Sequence, residues 1–393
     1  MNVNPNVTLA DIYGPEFILN PRTSYSGFGW VPTDNHDFDD FRTGAPLSIV
    51  GEMPMVANER VVTEESLKLM RLAGITEPSN LYVYNDENSI KSLINNCVEE
   101  GKKQVINQIY PPEEIPEKGY WIKPDLLSYL NNKASLSELV PEGHYPRRIA
   151  VKPTERERVK MEWKLPFVLK TATDLPNGGG IDVALCQTEE DVNQAWEAFK
   201  ESEQIVVEEL VNIEKNYCVQ FARTHEGEII CLGAAEQITT DDGNHSGNWL
   251  SDCEAAPDDV MAVGEKIMEN AAKLDYVGVG GFDILTTTDG RIVCIDLNFR
   301  LNASTPALLL KDSILSSTKK EYLLYRTWQI ETDWEDFYGT CQSMIENREL
   351  FPLSIYKPED NQNARPRISA ILAGDTKEEI IAIEEYLDRH GWK

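Results

Sequence analysis

The feature that most constrains this chain is the run from Gly281 to Asn298, where Asp289-Gly290 separates two β-rich segments. Asp-Gly in that setting is a strong short-range signal for a two-residue hairpin turn. With those two residues as the turn, Thr288 faces Arg291, and counting back sets Asp283 opposite Asp296. Period-two alternation puts Asn298 on the face of Asp296, and Phe282, Ile284, Ile295 and Leu297 on the other, core-facing side. Opposed carboxylates repel and destabilise a sheet. A divalent cation removes the conflict, and oxygen-only donors suit Mg²⁺ or Mn²⁺ carrying phosphate oxygens and water. The plainer alternative is two acids solvated on an outer face. Arg300 follows two residues after Asn298, and in extended backbone it projects from the same face. Its planar fork suits a phosphoryl group or a developing oxyanion.

A formal charge of −29 over 393 residues argues against nucleic-acid binding, which needs a basic surface to release counterions. An acidic protein that binds a polyphosphate must instead gather cations locally. Leu165 to Lys170 is an apolar strand ending in a lysine, followed by Asn177 and the triplet Gly178, Gly179, Gly180, then Ile181. Three glycines expose unobstructed N–H groups to phosphate, although a flexible turn is the commoner use of such a run. There is no Walker motif and no G-x-G-x-x-G. Ile205 to Val211 reads as an apolar strand running into a short segment, Glu208, Glu209, Leu210 and Val211, that can offer backbone groups to an adenine edge.

The remaining pattern is α/β before Leu165 and hairpin-rich α+β after it. Leu47–Gly51, Leu81–Tyr84 and Lys103–Ile106 read as strands alternating with helices at Glu64–Ala73 and Ser89–Gly101, which predicts a small parallel sheet. Residues 1–45 show no period and read as loops and short elements. Later strands are expected at Asn216–Thr224, Glu228–Ala235 and Ile368–Leu372, and helices at Glu189–Lys200, Asp258–Leu274 and Lys377–His390. Glu236 to Trp249 reads as a long polar loop. Seven scattered cysteines without metal-like spacing read as free thiols of a reducing compartment. Met1 to Ala10 lacks the marks of a secretory signal and no apolar run is long enough to span a bilayer, so a cytoplasmic location is expected.

Order and spacing together resemble the ATP-grasp ligases: an apolar strand ending in Lys, a glycine-rich loop, a hinge strand ending in Glu, and an Asp…Asp-x-Asn-x-Arg cluster, over roughly residues 130–305. The resemblance implies two α+β lobes clamping ATP, preceded by a small parallel α/β domain. The implied boundaries are 1–130, 131–211 (small lobe with the glycine lid), 212–318 (large lobe with the metal site) and 319–393 (an extension packing on the large lobe). It implies that Lys133 and Lys170 reach the nucleotide phosphates, that Gly178 to Ile181 form the lid, and that Glu208 to Val211 form the adenine hinge. Asp283, Asp296 and Asn298 become metal ligands, and Arg300 the catalytic arginine. For the ribose hydroxyls, strand alignment favours Asn216 and simple counting favours Glu214; both stand. The implied chemistry activates a carboxylate as an acyl phosphate, with ATP and Mg²⁺, and passes it to an amine.

A looser similarity of the C-terminal piece and the N-terminal domain points to peptide ligases of natural-product pathways, of the pheganomycin type, and so to an amino-acid acceptor. Gln237, His245 and Asn248 in the polar loop are candidate substrate contacts. The basic island Arg147, Arg148, Lys152, Arg156, Arg158, Lys160 and Lys164 is suited to a carrier protein, or is a solvated face. Transfer to a carrier thiol, and a non-catalytic ATP-binding regulatory protein, are the alternatives; a homodimer is left open. A biotin-type carboxylase ranks last, for want of any carrier segment.

Overall fold

The computed structural model describes residues 2–30, 35–177, 182–240, 245–359 and 364–393. The glycine lid, Gly178 to Ile181, lies outside the described residues.

Four short strands, β1 (Ile18–Asn20), β2 (Met55–Asn58), β3 (Leu81–Tyr84) and β4 (Gln104–Ile106), form an all-parallel sheet in the order β3-β2-β1-β4. Its helices start where the sequence caps them: the Thr63 side chain accepts from Ser66 N, and Asp86 and Ser89 form a reciprocal capping box. The expected strand at Leu47–Gly51 is absent. Ala45–Ser48 is a 3-10 turn with Pro46 in its first positions, and Leu47, Ile49 and Val50 are buried without being sheet residues. A short continuous apolar run reports burial, not extension. The inner strands are β1 and β2, and β1 is only three residues long, set among Asn and Pro, with no period to betray it.

The second body is the antiparallel sheet of β5 (Arg148–Val151), β6 (Phe167–Ala172), β7 (Val183–Cys186) and β8 (Gln204–Glu209), ordered β5-β8-β6-β7. Trp163, Phe167, Leu169, Trp196, Phe199 and Val207 give it a hydrophobic core of its own. A lobe with a separate core can move as a unit against its neighbour.

The third body is one eight-stranded antiparallel sheet built from β9 (Ile213–Arg223), β10 (Ile229–Thr239), β11 (His245–Ser251), β12 (Gly278–Thr287), β13 (Ile292–Asn298), β14 (Tyr322–Gln329), β15 (Leu350–Tyr356) and β16 (Arg367–Gly374). Their order is β13-β12-β9-β10-β11-β14-β16-β15, so residues beyond 318 continue the sheet that carries the Asp283 hairpin. Helix Asp258–Ala272 lays Val260, Val263, Ile267 and Ala271 against it. The approach depends on Gly264: a Cβ there would stand 2.6 Å from Val219 Cγ1. The expected loop from Glu236 to Trp249 is mostly strand. β10 continues to Thr239 and β11 begins at His245, pairing Gln237 with Asn248 and Thr239 with His245. Its polar side chains face a cavity, which is why the run lacked the alternation of a strand that buries one face.

Candidate active site

The hairpin β12–β13 sets Asp283 across from Asp296, but not by the expected turn. Thr287 N donates to Arg291 O and Gly290 N to Thr287 O, with Gly290 at φ +81°, so the turn holds one residue more than a two-residue bend. Near the turn the register is therefore shifted, with Ile284 against Cys294. A bulge between Asp283 and Ile284 then shifts it back, leaving Ile295 as the extra residue. Ile295 thus does not join Phe282, Ile284 and Leu297 in the core as expected; it is half-buried and lines the cavity.

That cavity, of about 1980 Å³, lies where the three bodies meet. On the side of the two expected phosphate lysines, Lys170 Nζ is 2.6 Å from Glu208 Oε2 and donates to the Ile295 carbonyl at 2.7 Å. The bulge is what presents that carbonyl. Arg148 Nη1 lies 3.3 Å from Glu208 Oε1, and a second Arg148 nitrogen donates to the Lys133 carbonyl. Lys133 Nζ bridges Asp296 Oδ1 at 2.8 Å and Asp182 Oδ2 at 3.3 Å. Glu208 therefore points into the ion cluster, while Glu209, Leu210 and Val211, the rest of the expected hinge, also line the cavity wall. Beside it, Val168, Leu185, Leu210, Ile213, Leu285 and Ile295 make an apolar slot.

The two candidate ribose residues separate. Asn216 lines the cavity and its Oδ1 is buried without a partner. Glu214 does not line it: the β9–β12 register jumps from Lys215 to Ile213, so Glu214 is the bulged residue and Ile213 takes the inward place.

Gln237 Nε2 donates to Asp283 Oδ1 at 2.6 Å, and Asn298 Nδ2 to Asp296 Oδ2 at 3.3 Å. Burial, and then the charge of Asp296, push the Asp283 carboxyl up to about 7. Burial acts the same way on Asp296, but Lys133 and Lys170 outweigh it and hold that group below the ordinary range. Two half-buried carboxylates and an amide oxygen, one carboxylate lacking compensating charge, fit a hard divalent cation. His245 Nε2 contacts Asn248 Oδ1 at 2.7 Å, burial lowers its pKa, and Asn248 Nδ2 is buried without a partner at the cavity edge. The Arg300 guanidinium hydrogen-bonds only Asn131 Oδ1, at 3.4 Å, and forms no ion pair among the described residues.

Sequence reasoning did not single out Asp182, Arg42 or Asn131. Asp182, 1% exposed, stands two residues after the glycine triplet, a position that could have flagged it. Arg42 carried no local signal. Most of the basic island dissolves into local contacts: Arg158 with Glu155 and Glu162, Lys160 with Glu157, Arg156 with Asn193, Arg148 with Glu208 and Arg147 over the Trp163 ring, leaving Lys152 and Lys164 without an ion pair among the described residues. Nothing in this arrangement supports a carrier-protein dock.

The lobes and the lysine–aspartate cavity between them define the ATP-grasp fold. Solved structures share it over nearly the whole chain: a carboxyaminoimidazole synthetase from Staphylococcus aureus complexed with ADP (11% identity, TM-score 0.60, 98% of each chain), a carboxyaminoimidazole ribonucleotide synthase from Aspergillus clavatus with ATP (12%, 0.56, 96% and 98%), and a biotin carboxylase from Campylobacter jejuni (12%, 0.58, 96% and 92%). Two family models written for an L-aspartate–L-methionine ligase match in succession, its N-terminal domain over residues 8–128 and its ATP-grasp domain over 146–298. The chain belongs to the ATP-grasp ligase family. No helix of the described residues is long and apolar enough to cross a membrane.

Proposed function

We propose that this protein is an ADP-forming ligase that joins two amino acids, with L-aspartate as the acyl donor and L-methionine as the amine. The observation that carries the reading is the convergence of Lys133, Lys170, Arg300 and the opposed Asp283–Asp296 pair on one cavity, in a chain matched in two domains by models of such a ligase. The pheganomycin-type specificity has no such support.

A donor carboxylate oxygen attacks the γ-phosphorus of ATP as the bond to the ADP oxygen breaks, giving an acyl phosphate. Lys133 and Lys170 hold the phosphates, and the apolar slot takes the adenine against the hinge backbone. Asn216 accepts a ribose hydroxyl at its partnerless Oδ1. Asp283, Asp296 and Asn298 would hold Mg²⁺, which neutralises phosphate charge. The acceptor amine then attacks the acyl carbon. Arg300 stabilises the oxygen that gains charge, phosphate leaves, and the surplus amine proton passes to solvent or phosphate. Water must be kept from the site, since it would otherwise destroy the acyl phosphate.

ADP release measured over a matrix of amino-acid pairs, with mass spectrometry of the product, tests this. Release that requires aspartate and methionine together, with one dipeptide formed per ADP, is the expected result. Release indifferent to either amino acid overturns the pairing, and silence across the matrix favours a nucleotide-binding regulator.

A further inference from the structure

The cavity extends well past the nucleotide residues, to a wall built by the N-terminal domain and the C-terminal strands, where Phe38, Phe41, Arg42 and Pro46 meet Tyr325 and Trp328. Arg42 ends the helix His36–Arg42, and that helix is firmly held. Asp40 is taken by Arg22 at 2.7 Å and by the Tyr84 hydroxyl at 2.5 Å; Asp37 accepts from the Tyr356 hydroxyl at 2.9 Å; Ser354 Oγ donates to the Phe41 carbonyl at 2.7 Å. Asp37 and Asp40, on the same helix, are thus engaged elsewhere. Arg42 forms no ion pair and no side-chain hydrogen bond among the described residues, in a chain with 66 acidic residues against 37 basic ones. Its guanidinium lies 5.7 Å from the Phe38 ring centroid, and its charge is felt at Arg300 across the cavity.

We propose that Arg42 is a carboxylate clamp for the acceptor amino acid, gripping its α-carboxylate while the Phe38 wall receives its apolar side chain. The inference rests on the peptide-ligase reading and adds to it a residue from the N-terminal domain. An unpaired guanidinium facing a cavity is completed by a planar anion, which it binds through two parallel hydrogen bonds. Aromatic rings beside it suit a thioether or another apolar chain. Gripping the acceptor from this side leaves its amine free to turn toward Arg300, where the acyl group is activated. The arrangement also gives a reason for the N-terminal domain to be fused to the catalytic lobes: without helix His36–Arg42 the acceptor subsite loses this unpaired cation.

The test compares L-methionine with L-methioninamide, which lacks the carboxylate, in the parent and in Arg42→Ala and Arg42→Lys. In the parent, methionine should have the lower KM by roughly 10- to 100-fold, the range of a charge-assisted hydrogen-bonded pair. Arg42→Ala should raise KM for methionine by that factor, leave methioninamide unchanged, and keep KM for ATP and aspartate within about two-fold; Arg42→Lys should fall between. A loss of equal size for both ligands, or one that falls on ATP or aspartate, overturns the clamp. Calorimetric binding of the same two ligands, with an unreactive ATP analogue present, separates the subsite from the reaction. Arg42-dependent preference for methionine without aspartate–methionine turnover would sink the ligase pairing and leave the clamp standing. A parent that binds neither ligand, or both alike, removes the clamp.

Discussion

The cations around the cavity stand in two opposite states, and Arg326, paired with Glu384 at 2.8 Å beside Tyr325, belongs with the paired ones. On the nucleotide wall Lys133, Lys170 and Arg148 are buried and each has a carboxylate within 3.3 Å. On the opposite wall Arg300 and Arg42 have none among the described residues, and Arg42 is one reason, after burial, that the Arg300 pKa lies below the ordinary arginine value. The difference separates two jobs. A buried, paired cation is neutral scaffolding that keeps the lobe folded and exchanges partners when phosphate arrives. An unpaired one costs the protein some stability and holds its full attraction for an incoming anion.

The largest expected effect lies on the unpaired wall. Arg300→Ala should lower kcat by roughly 10²- to 10³-fold, the cost of losing one donor to a developing oxyanion, with KM for ATP changed little. It should change the melting temperature little, because the residue it removes forms no ion pair among the described residues and only one long hydrogen bond, to Asn131. Steady-state ADP release and a thermal melt check both halves. Activity within a few-fold of the parent breaks the assignment. Lys170→Met should behave in the reverse sense on stability, stranding Glu208, 2% exposed, with only Arg148 as counter-charge. Breaking a buried pair costs about 3 kcal/mol. The small lobe, with its own core, should therefore melt earlier, and Lys170→Met with Glu208→Gln should recover part of the loss. A single variant as stable as the parent would mean that the wall is not scaffolding.

A smaller effect is expected from pH. Between the ordinary aspartate value near ~4 and about 7, the folded protein keeps a proton on Asp283 that the unfolded chain has lost. The stability of the nucleotide-free protein should thus fall as pH rises through that window. Asp296, held low by Lys133 and Lys170, contributes with the opposite sign: its share is present above the ordinary carboxylate pKa and is lost only in stronger acid, as pH falls through its folded value. Saturating MgATP should flatten the first slope, because a cation keeps Asp283 ionised, and Asp283→Asn should abolish it. Melting curves from about pH 5 to pH 8, with and without MgATP, read this directly. A slope untouched by both changes places its origin elsewhere.

What the sequence disclosed follows the same division. The opposition of Asp283 and Asp296 was legible because period-two alternation is local, although a longer turn and a compensating bulge each shifted the register by one and cancelled. Lys133, Lys170 and Glu208 stood out by their order along the chain, but not their partners: Lys170 meets Glu208 across the small-lobe sheet, and Lys133 meets Asp296 of the large one. The hairpin β10–β11 was hidden because a strand facing a polar cavity on one side carries no apolar alternation. Arg42 was hidden for a deeper reason. Its meaning is the absence of a partner, and absence becomes visible only when every neighbouring carboxylate has been located.

The smallest expected effect concerns the basic island, whose clustering in the sequence suggested a docking face. Arg158 is paired at 3.0 Å with Glu155 and at 3.1 Å with Glu162, on an exposed turn of helix. Exposed pairs of this kind contribute roughly 0–1 kcal/mol and project little net charge. Reversing Arg158 and Lys160 together should therefore leave KM for ATP and for both amino acids within about two-fold. The result separates two ways in which an acidic chain can concentrate cations. If the kinetics hold, cation density along the sequence is a surface property here, and only cations drawn into the cavity by the fold act on substrate. A clear rise in KM for any substrate would show that attraction begins outside the cavity, and the contrast between its two walls would then describe only its last step.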